Sequence, residues 1–366
     1  MNIGLDASVL ELPPTGIAKV TAGLSHACLA HDPGLTISAF HRRPLRLTFQ
    51  GSITAHPLGR WVPHQYWRSL ILPRAIRHAD VAWFPWNGNV PHLKTTGIVA
   101  STIHDVLPLI IPGYFRAPGD EVRYRARVQQ DLDRSDVVFT DSIYSRQQIV
   151  AQFNTTHEPV LIRFGPTMTP ASAQSATVSP DDKPFFVYVG GYDRRKGIEG
   201  LVRLFLALHA EGKIASRLIL TGTPNYFSEA FRDVVKDAVA RGAVEERGYV
   251  DEPTLAHLFQ RARALVYPSK YEGFGLPPLE AMTAGCPVIT TRETSLPEVC
   301  GEAAVYIDPD DTRSFAEALL SIETDAHLRE RLRAAGFAQA ATFTWEEAAA
   351  TFLGALRIAL QGRRQG

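Results

Sequence analysis

Short apolar runs alternate with longer amphipathic stretches along the whole of this 366-residue chain. The apolar runs of the N-terminal half read NIGL, TISAF, DVAWF, GIVASTI, DVVFTDS and PVLIRF, and those of the C-terminal half read PFFVYVGG, RLILTG, ALVYPS, CPVITT and AAVYID. Helix-like segments such as FSEAFRDVVKDAVARG and TRSFAEALLSIETDAHLRERLRAAG lie between them. Buried strands that alternate with helices predict parallel sheets with crossover helices. The pattern therefore predicts the α/β fold class.

One stretch interrupts this alternation near the middle of the chain. Residues Gly165–Pro184 are rich in Pro, Ser, Thr and Ala and have no periodicity, which is typical of a linker. We expect an N-terminal domain over residues 1–170, a linker over 171–184 and a C-terminal domain over 185–343. Residues 344–366 are predicted to form a helix that crosses back to the N-terminal domain. The length of the chain suits two domains of this size.

Composition narrows the class of protein. Hydrophobic residues make up 45% of the chain and charged residues 21%, and the formal net charge is zero, so nothing indicates a nucleic-acid partner. The three cysteines, Cys28, Cys286 and Cys300, form no metal or disulfide pattern and favour a reducing, cytoplasmic location. The first residues, MNIGLDASVL, do not resemble a signal peptide, and no apolar run reaches the ~20 residues of a membrane span.

Polar and glycine-rich residues follow several predicted strands, at the edge where open α/β sheets bind ligands. YDRRKG follows PFFVYVGG, LPPTGIAK comes after the first strand, and His104 and Asp105 follow GIVASTI. The run ALVYPS leads into KYEGFGLPPLEAMTAG, a loop that is followed by a short predicted helix. Pro277 and Pro278 suit the first turn of that helix and Gly285 its end, so the helix is expected over about 277–284.

Two carboxylates, Glu272 and Glu280, bracket this loop. Gly273 and Gly275 allow the backbone to approach a ligand closely, and free N–H groups at a helix N-terminus favour an anion such as phosphate. A carboxylate can accept paired hydrogen bonds from the neighbouring hydroxyls of a sugar or a ribose. Taken singly, Glu272 also reads as a surface loop residue and Glu280 as an acid that the helix dipole favours. Together they predict a site for one ligand that carries phosphate and two polyols, such as a sugar and a ribose.

The sequence EGFGLPPLE, followed by AMTAGCPVITT, resembles the Glu-x7-Glu signature of retaining glycosyltransferase family 4. The resemblance covers most of the chain, since TGIAK, TIHDVLPL, TDSIYSRQQI, VGGYDRRKG, RGYVDEPTLAHLF and TSLPEVCGEAAVYIDPDD are each similar to a segment of that family. It implies the GT-B fold, in which two Rossmann-like, doubly wound domains face each other across a cleft. It also implies that the nucleotide sugar binds to the C-terminal domain.

The resemblance implies a role for each candidate residue. Glu272 would contact the transferred sugar, Glu280 would hold the ribose hydroxyls, and Lys196 would neutralise the charge that grows on the leaving diphosphate. His104 would face the donor sugar or the acceptor, with Asp105 either orienting it or capping a turn. The remaining donor contacts are expected from backbone at Gly16, Gly191, Val250, Gly273, Phe274, Gly275 and Leu276. The alternative is that Lys196 is a solvated turn residue and that His104 bonds only to backbone.

The sequence departs from the family pattern at two places. The family often has an arginine directly after the strand glycine, where this chain has Gly191, so Arg194 or Arg195 would have to supply the second cation, and we favour Arg195. The family often continues the N-terminal glycine loop with Gly and Arg, where this chain has Ala18 and Lys19. Contact from Gly16 is therefore less well supported by the resemblance.

Basic and aromatic residues are concentrated in one window. Between Pro33 and Ala79 there is no Asp or Glu, while the window contains Arg42, Arg43, Arg46, Arg60, Arg68, Arg74 and Arg77, with Trp61, Tyr66 and Trp67 among them. This combination suits an anionic membrane surface or a diphosphate-linked lipid acceptor. A solvated, arginine-rich face is the alternative. The window adds a peripheral position at the inner face of the plasma membrane to the expected cytoplasmic location.

Other motifs exclude rival enzyme classes. No Gly-x-Gly-x-x-Gly follows a strand and no Gly-x-x-x-x-Gly-Lys-Ser/Thr is present, which argues against a nicotinamide dehydrogenase and a P-loop NTPase. Asp308 and Asp310 are separated by a proline and indicate a turn more than a metal site. No cofactor is expected, since the nucleotide sugar is a substrate.

The motifs and the resemblance together predict a metal-independent glycosyltransferase that moves a hexose from a nucleotide diphosphate sugar to a hydroxyl of a glycan or lipid-linked glycan, and the resemblance implies that it is retaining. GDP-mannose is the first choice of donor, because the motifs together resemble bacterial mannosyltransferases of polysaccharide or lipopolysaccharide biosynthesis; UDP-hexose and dTDP-rhamnose stay open. The alternatives are a GT-B sugar-nucleotide epimerase and a non-catalytic sugar-nucleotide-binding partner of a glycan assembly complex.

Overall fold

The computed structural model of the chain describes residues 1–11, 15–46, 53–88, 90–168 and 183–365. It divides into two compact units, one formed by Met1–Thr167 with Phe343–Gly366 and the other by Met168–Thr342. Of the predicted linker, only Lys183 and Pro184 lie within the described residues.

The first unit contains a seven-stranded parallel sheet with the strand order β3-β2-β1-β4-β5-β6-β7. Its strands are β1 (Asn2–Asp6), β2 (Thr36–His41), β3 (Ile53–Pro57), β4 (Val81–Phe84), β5 (Ile98–Thr102), β6 (Val137–Thr140) and β7 (Val160–Leu161). Its helices before the second unit are α1 (Gly16–His31), α2 (His64–Tyr66), α3 (Leu72–Ile76), α4 (Asp120–Arg134) and α5 (Ile143–Gln152). A π-helical turn, Trp67–Ile71, joins α2 to α3, and short 3-10 turns lie at Ala7–Glu11 and Leu107–Leu109.

The second unit contains a six-stranded parallel sheet with the order β10-β9-β8-β11-β12-β13. The strands are β8 (Phe185–Val189), β9 (Arg217–Thr221), β10 (Val244–Gly248), β11 (Leu265–Tyr267), β12 (Val288–Thr291) and β13 (Ala304–Ile307). The helices are α6 (Ile198–Ala210), α7 (Glu229–Ala240), α8 (Glu252–Arg261), α9 (Leu276–Thr283), α10 (Leu296–Cys300), α11 (Thr312–Thr324) and α12 (Ala326–Ala340).

In each unit the chain forms a central strand first, adds strands on one side of it, and then crosses back to add strands on the other side. This is the doubly wound arrangement of Rossmann-like domains. The central strands are buried on both faces; β4 and β12 are buried at every position. Such strands read as continuous apolar runs, which is why the pattern of the sequence predicts them. The predicted α/β class with two parallel sheets is confirmed.

Two strands at sheet edges were not predicted. No position of β3 is fully buried, and β10 exposes Glu246 and Arg247. A strand at the edge of a sheet is only partly buried, so it can carry charged side chains and need not form an apolar run. Apolar runs in the sequence therefore indicate the interior strands but not these two.

The long helix-like segment near residue 325 is two helices and not one. The N–H of Asp325 donates to the carbonyl of Ser321 at the end of α11, while its side chain accepts from the N–H of Leu328 in α12. Asp325 has extended backbone angles, so one residue ends the first helix and caps the next. An aspartate can do both, because its short side chain bonds to nearby backbone N–H groups.

The C-terminal helix, α13 (Trp345–Gln365), belongs to the first unit. Trp345 Nε1 donates to the carbonyl of Pro166 over 2.9 Å, and the ring of Phe352 contacts those of Trp83 and Phe139 at centroid distances of 4.8 and 4.7 Å. Phe352 is fully buried. The last part of the chain therefore completes the core of the unit in which the chain begins.

The structure corrects the predicted surface cluster in the basic window. Trp67 is fully buried and packs with Leu72 and Ile76, so it belongs to the core and cannot meet a membrane. Trp61 is 89% exposed and Tyr66 is 52% exposed. Within the described residues no helix is long and apolar enough to span a bilayer.

Candidate active site

The best-formed candidate site lies at the carboxyl edge of the second sheet, where β8 and β11 are neighbours. The chain leaves β8 towards β9 on one side and leaves β11 towards β12 on the other, so the loops that follow the two strands diverge. A crevice at such a point is where doubly wound sheets bind ligands. The loop after β8 contains Lys196, and the loop after β11 contains Glu272.

A glycine brings these two loops together. Lys196 ends a 3-10 turn, Arg194–Lys196, that begins with the side chain of Asp193 accepting from the N–H of Arg195. Gly197 follows with a φ of 66°, and a Cβ there would lie 2.3 Å from the carbonyl oxygen of Pro268. Both the backbone angle and the close approach require glycine at this position.

Glu272 is the centre of a buried hydrogen-bond cluster. Its Oε1 accepts hydrogen bonds from Lys196 Nζ, from Ser269 Oγ at 2.6 Å and from Tyr267 Oη at 3.0 Å. Arg195 Nη1 lies 3.7 Å from the same oxygen. Lys196 also donates to Tyr267 Oη over 2.6 Å. Three of these four neighbouring side chains lie within hydrogen-bond distance of the Glu272 oxygen, so the protein itself holds the candidate charge pair in place.

Burial and charge act against each other in this cluster. Burial alone would raise the pKa of the Glu272 carboxyl, but Lys196 and then Arg195 outweigh it and hold that pKa below its ordinary value. Burial lowers the pKa of the Lys196 ammonium group, and Glu272 opposes that shift. Burial, with the charge of Glu272, raises the pKa of Tyr267 well above its ordinary value, so the phenol keeps its proton.

The backbone of the Glu272 loop is held by residues after β12. Thr294 Oγ1 accepts a hydrogen bond from the N–H of Glu272 at 3.0 Å. The hydroxyl of Ser295 is a donor that lies 3.0 Å from the carbonyl oxygen of Glu272 and 2.7 Å from that of Phe274. Thr294 has a φ of 53°. A β-branched residue in this left-handed region is strained, and strain of this kind is concentrated at functional sites.

The short predicted helix is present as α9, Leu276–Thr283. Gly275 caps its start with a φ of 113°, and Gly285 follows its end with a φ of 76°. Pro277 and Pro278 in its first turn have no N–H, and the N–H of Leu279 donates to the carbonyl of Gly275, so the backbone donors before the helix are those of the loop up to Leu276. Glu280 lies in the second turn and is 3% exposed. The loop, the helix start and both glutamates thus form one continuous segment of the second unit.

The two arginines beside Lys196 point to different neighbours. Arg195 Nη1 donates to the carbonyl of Tyr271 over 2.7 Å and approaches Glu272, whereas the guanidinium of Arg194 lies over the ring of Phe227 at 5.1 Å. A Cβ added to Gly191 would have no heavy atom within 4 Å. Arg195 is therefore the arginine that the structure brings to the cluster, and no steric reason explains the glycine at 191.

Two further predicted residues are on other parts of the chain. Val250 follows β10 in the connection to α8, whose N-cap is Asp251. Gly16 is the first residue of α1 in the first unit, after the N-cap Thr15, and it is exposed. Their proposed contacts with the donor stay predictions.

His104 follows β5 in the first unit and is 7% exposed. Its Nδ1 lies 2.9 Å from Asp141 Oδ2, and its Nε2 lies 2.9 Å from the carbonyl oxygen of Pro85. Both partners are hydrogen-bond acceptors, so both ring nitrogens are placed to donate, which is the arrangement that favours an imidazolium. Burial lowers the pKa of His104, but the bond to Asp141 outweighs it and raises that pKa above the ordinary value. Both ring nitrogens are therefore occupied by protein acceptors.

Asp105 resolves an alternative that the sequence leaves open. Its Oδ1 accepts from the N–H of Leu107 at 3.0 Å, which caps a turn, while Asp141 is the carboxylate that orients His104. Asp308 and Asp310 also form a turn, in which Asp308 accepts the N–H of Asp310 and Lys270 binds both oxygens of Asp310. Within the described residues no group of three His, Cys, Asp or Glu side chains is placed to hold a metal.

Four residues of these networks were not singled out from the sequence. Tyr267 is the last residue of β11, Ser269 follows it, Thr294 follows β12, and Asp141 follows β6. Each stands at the carboxyl edge of a sheet. The rule that residues after strands form the site, applied to every strand, would have pointed to Ser269 and Asp141, but it would not have shown which side chains they meet, and it would have passed over Tyr267 inside its strand.

Comparison with known proteins identifies the family. The family model described as "Glycosyl transferases group 1" matches residues 172–339. The O-antigen chain mannosyltransferase B of Escherichia coli is 32% identical over 294 residues, which are 77% of this chain and 75% of that protein. The O-antigen chain mannosyltransferase RfbU of Salmonella typhimurium is 26% identical over 264 residues, or 72% of this chain and 70% of that protein.

Solved structures agree on the fold. Sucrose-phosphate synthase from Thermosynechococcus elongatus superposes with a TM-score of 0.74 at 20% identity, covering 99% of this chain and all of that one. WaaG, a glycosyltransferase involved in lipopolysaccharide biosynthesis, has a TM-score of 0.71 at 15% identity and covers 98% and 99%. The chain is a group 1 glycosyltransferase with the GT-B fold of two Rossmann-like domains.

Proposed function

We propose that this glycosyltransferase transfers mannose from GDP-mannose to a hydroxyl group of a growing, lipid-linked O-antigen type of glycan, with retention of the anomeric configuration. The observation that carries the proposal is the buried Lys196–Glu272 pair at the divergence of the β8 and β11 loops. The choice of mannose is supported by the relative of 32% identity, which is named a mannosyltransferase.

The second unit has a group for each part of such a donor. Lys196 and Arg195 supply positive charge for the diphosphate oxygens, and the backbone N–H groups of Gly275 and Leu276, just before the prolines of α9, supply further donors. Glu272 accepts hydrogen bonds from the hydroxyls of the transferred sugar, and Glu280 accepts those of the ribose. Lys196 and Arg195 are both at the edge of the sheet before transfer, and their positive charge stabilises the negative charge that develops on the leaving diphosphate.

Transfer in this proposal needs no metal ion. Two side-chain cations, Lys196 and Arg195, lie within 4 Å of the same carboxylate oxygen and provide the charge that a divalent ion provides in other transferases. Activity should therefore be unchanged by EDTA. Loss of activity with EDTA and its return with manganese would contradict this part of the proposal.

The test is a donor panel with analysis of the product. The protein is incubated with a lipid-linked oligosaccharide acceptor and, in turn, GDP-mannose, UDP-glucose or dTDP-rhamnose. The mass of the product is measured by mass spectrometry. The anomeric carbon–hydrogen coupling of the product is then measured by NMR. We expect an α-linked mannoside from GDP-mannose. A β-linked product would contradict retention, and conversion of the donor without an acceptor would favour the epimerase instead.

Lys196→Ala should lower kcat by roughly 100-fold, the effect of removing one preorganised group that stabilises transition-state charge. Lys270→Ala is the matched control, because Lys270 pairs with the exposed Asp310 in the same unit. Equal effects of the two substitutions would contradict the role of Lys196.

A further inference from the structure

Tyr267 is the one side chain of the buried cluster that touches both members of the charge pair while carrying no charge itself. Its hydroxyl lies 2.6 Å from Lys196 Nζ and 3.0 Å from Glu272 Oε1, and the ammonium nitrogen also lies over its ring, 4.9 Å from the centroid. The residue is 1% exposed and is the last position of β11.

The chemistry of a phenol fixes the direction of each bond. The ammonium group can only donate, so the tyrosine oxygen accepts from Lys196, and its single hydrogen is left to donate to Glu272. The hydroxyl therefore bridges a cation and an anion with both of its functions in use. No charged residue could do this, because a carboxylate has no hydrogen to donate and an amine here would repel the lysine.

If the proposed function is right, binding of the donor brings groups that compete for both members of the Lys196–Glu272 pair. In the structure Glu272 Oε1 is engaged by three hydrogen bonds, including the one from Lys196. A diphosphate competes with Glu272 for Lys196, and sugar hydroxyls compete with Lys196 for Glu272. As the two charged groups exchange partners, each loses the contact that holds it in position.

We infer that Tyr267 is a positioning residue. It holds the side chains of Lys196 and Glu272 in their relative positions while the Lys196 ammonium group moves from the carboxylate to the leaving diphosphate. Its anchor is the strand, not either charged group, so the hydroxyl stays between them in both states. The residue touches no reacting atom; it acts through Lys196 and Glu272.

Tyr267→Phe removes the hydroxyl and keeps the ring. We expect kcat to fall about tenfold or more, the effect of one lost hydrogen bond to a charged group, with a much smaller change in the dissociation constant of GDP. The basic limb of the kcat–pH profile should move to lower pH, because the ammonium group loses an acceptor that favoured its charged form.

The matched control is Tyr306→Phe. The Tyr306 hydroxyl donates to the carbonyl of Gly301 in the same unit and is remote from the charge pair in the hydrogen-bond network. This control measures the effect of losing one partly buried tyrosine hydroxyl on folding alone. It should leave the basic limb in place.

A second readout does not depend on activity. In protein labelled with carbon-13 at the lysine ε-carbons, the Lys196 signal is assigned by its absence in Lys196→Met and is titrated without substrate. Tyr267→Phe should lower the pKa of Lys196, and Tyr306→Phe should not. An unchanged Lys196 titration, or a kcat within twofold of wild type with an unmoved basic limb, would overturn the inference. If the wild type transferred sugar from no donor, the proposed function would fail while the titration still decided the role of Tyr267.

Discussion

The two members of the buried charge pair should contribute unequally to stability. Glu272→Gln leaves the Lys196 ammonium group, with an 11% exposed side chain, next to the neutral Tyr267 hydroxyl and without its carboxylate. Lys196→Met leaves Glu272 with Ser269, Tyr267 and Arg195 still directed at its oxygen. The uncompensated cation should therefore cost more than the uncompensated anion.

The magnitudes follow from the burial. Removing one partner of a buried ion pair costs about 3–5 kcal/mol, which is the loss expected for Glu272→Gln. Loss of a single charged hydrogen bond costs about 1.5–3 kcal/mol, which is the loss expected for Lys196→Met. The double substitution should cost less than the sum of the two, with a coupling of about 2 kcal/mol between neighbours that share partners.

Urea unfolding followed by two probes measures these losses and locates them. All five tryptophans belong to the first unit, so their fluorescence follows that unit, while far-UV circular dichroism follows both. Lys270→Met is the control, since the half-buried Lys270 pairs with the exposed Asp310 at the surface, and such a pair should contribute at most about 1 kcal/mol. A larger loss for Lys196→Met than for Glu272→Gln, or additive single losses, would refute the reasoning.

Three further outcomes follow from particular contacts. Arg195→Ala should lower kcat/KM by at least tenfold, because one charged interaction with the diphosphate is lost, whereas Arg194→Ala, which removes a cation over Phe227, should change it less than threefold; equal losses in a kinetic comparison would contradict this assignment. The His104 ring should stay protonated in NMR titrations above its ordinary pKa of about 6.5, and Asp141→Asn should lower that pKa. Since the folded-state pKa is raised, the pair's stabilisation is fully present below the unfolded pKa and is lost as pH rises through the folded one, so the stability difference between wild type and Asp141→Asn should shrink at high pH; a difference that grew with pH would contradict the pairing. If the exposed arginines of the basic window meet a membrane, the protein should sediment with anionic but not neutral vesicles, and Arg43→Glu with Arg46→Glu and Arg60→Glu should abolish this while donor affinity is kept; wild type that ignores anionic vesicles at low salt removes the membrane role.

The interior of both sheets could be predicted from the sequence because strands buried on both faces must be apolar throughout. The edge strand β10 could not, since Glu245 and Glu246 are tolerated where only one side is paired. The break at Asp325 was missed for a related reason. Apolar periodicity continues across it, and only the hydrogen bonds of the capping side chain end one helix and begin the next.

The charged residues of the candidate site were accessible to sequence reasoning because they lie in glycine-rich loops after strands. Their partners were not. Tyr267 reads as an ordinary buried strand residue, and only the approach of the β8 loop brings Lys196 to its hydroxyl. Asp141 lies 37 residues beyond His104, on a loop that reaches it only once β5 and β6 pair. Local pattern predicts which residues face a site, whereas strand order decides which of them meet.

The backbone strain at Thr294 had no sequence signal at all. Threonine disfavours a positive φ, so the residue would be assigned to extended or helical backbone. In this left-handed conformation Thr294 Oγ1 accepts a hydrogen bond from the N–H of Glu272, so the strained residue is also one that holds the Glu272 loop.

The most direct test of the central claim is calorimetric binding of GDP and of GDP-mannose to wild type, Glu272→Gln and Glu280→Ala. If Glu272 holds the sugar and Glu280 the ribose, Glu280→Ala should weaken both ligands alike, by the equivalent of one or two hydrogen bonds. Glu272→Gln should bind GDP at least as tightly as wild type, because Lys196 is released from its carboxylate, and should lose the additional affinity for the sugar. Equal losses of GDP and GDP-mannose affinity in both variants would contradict the account.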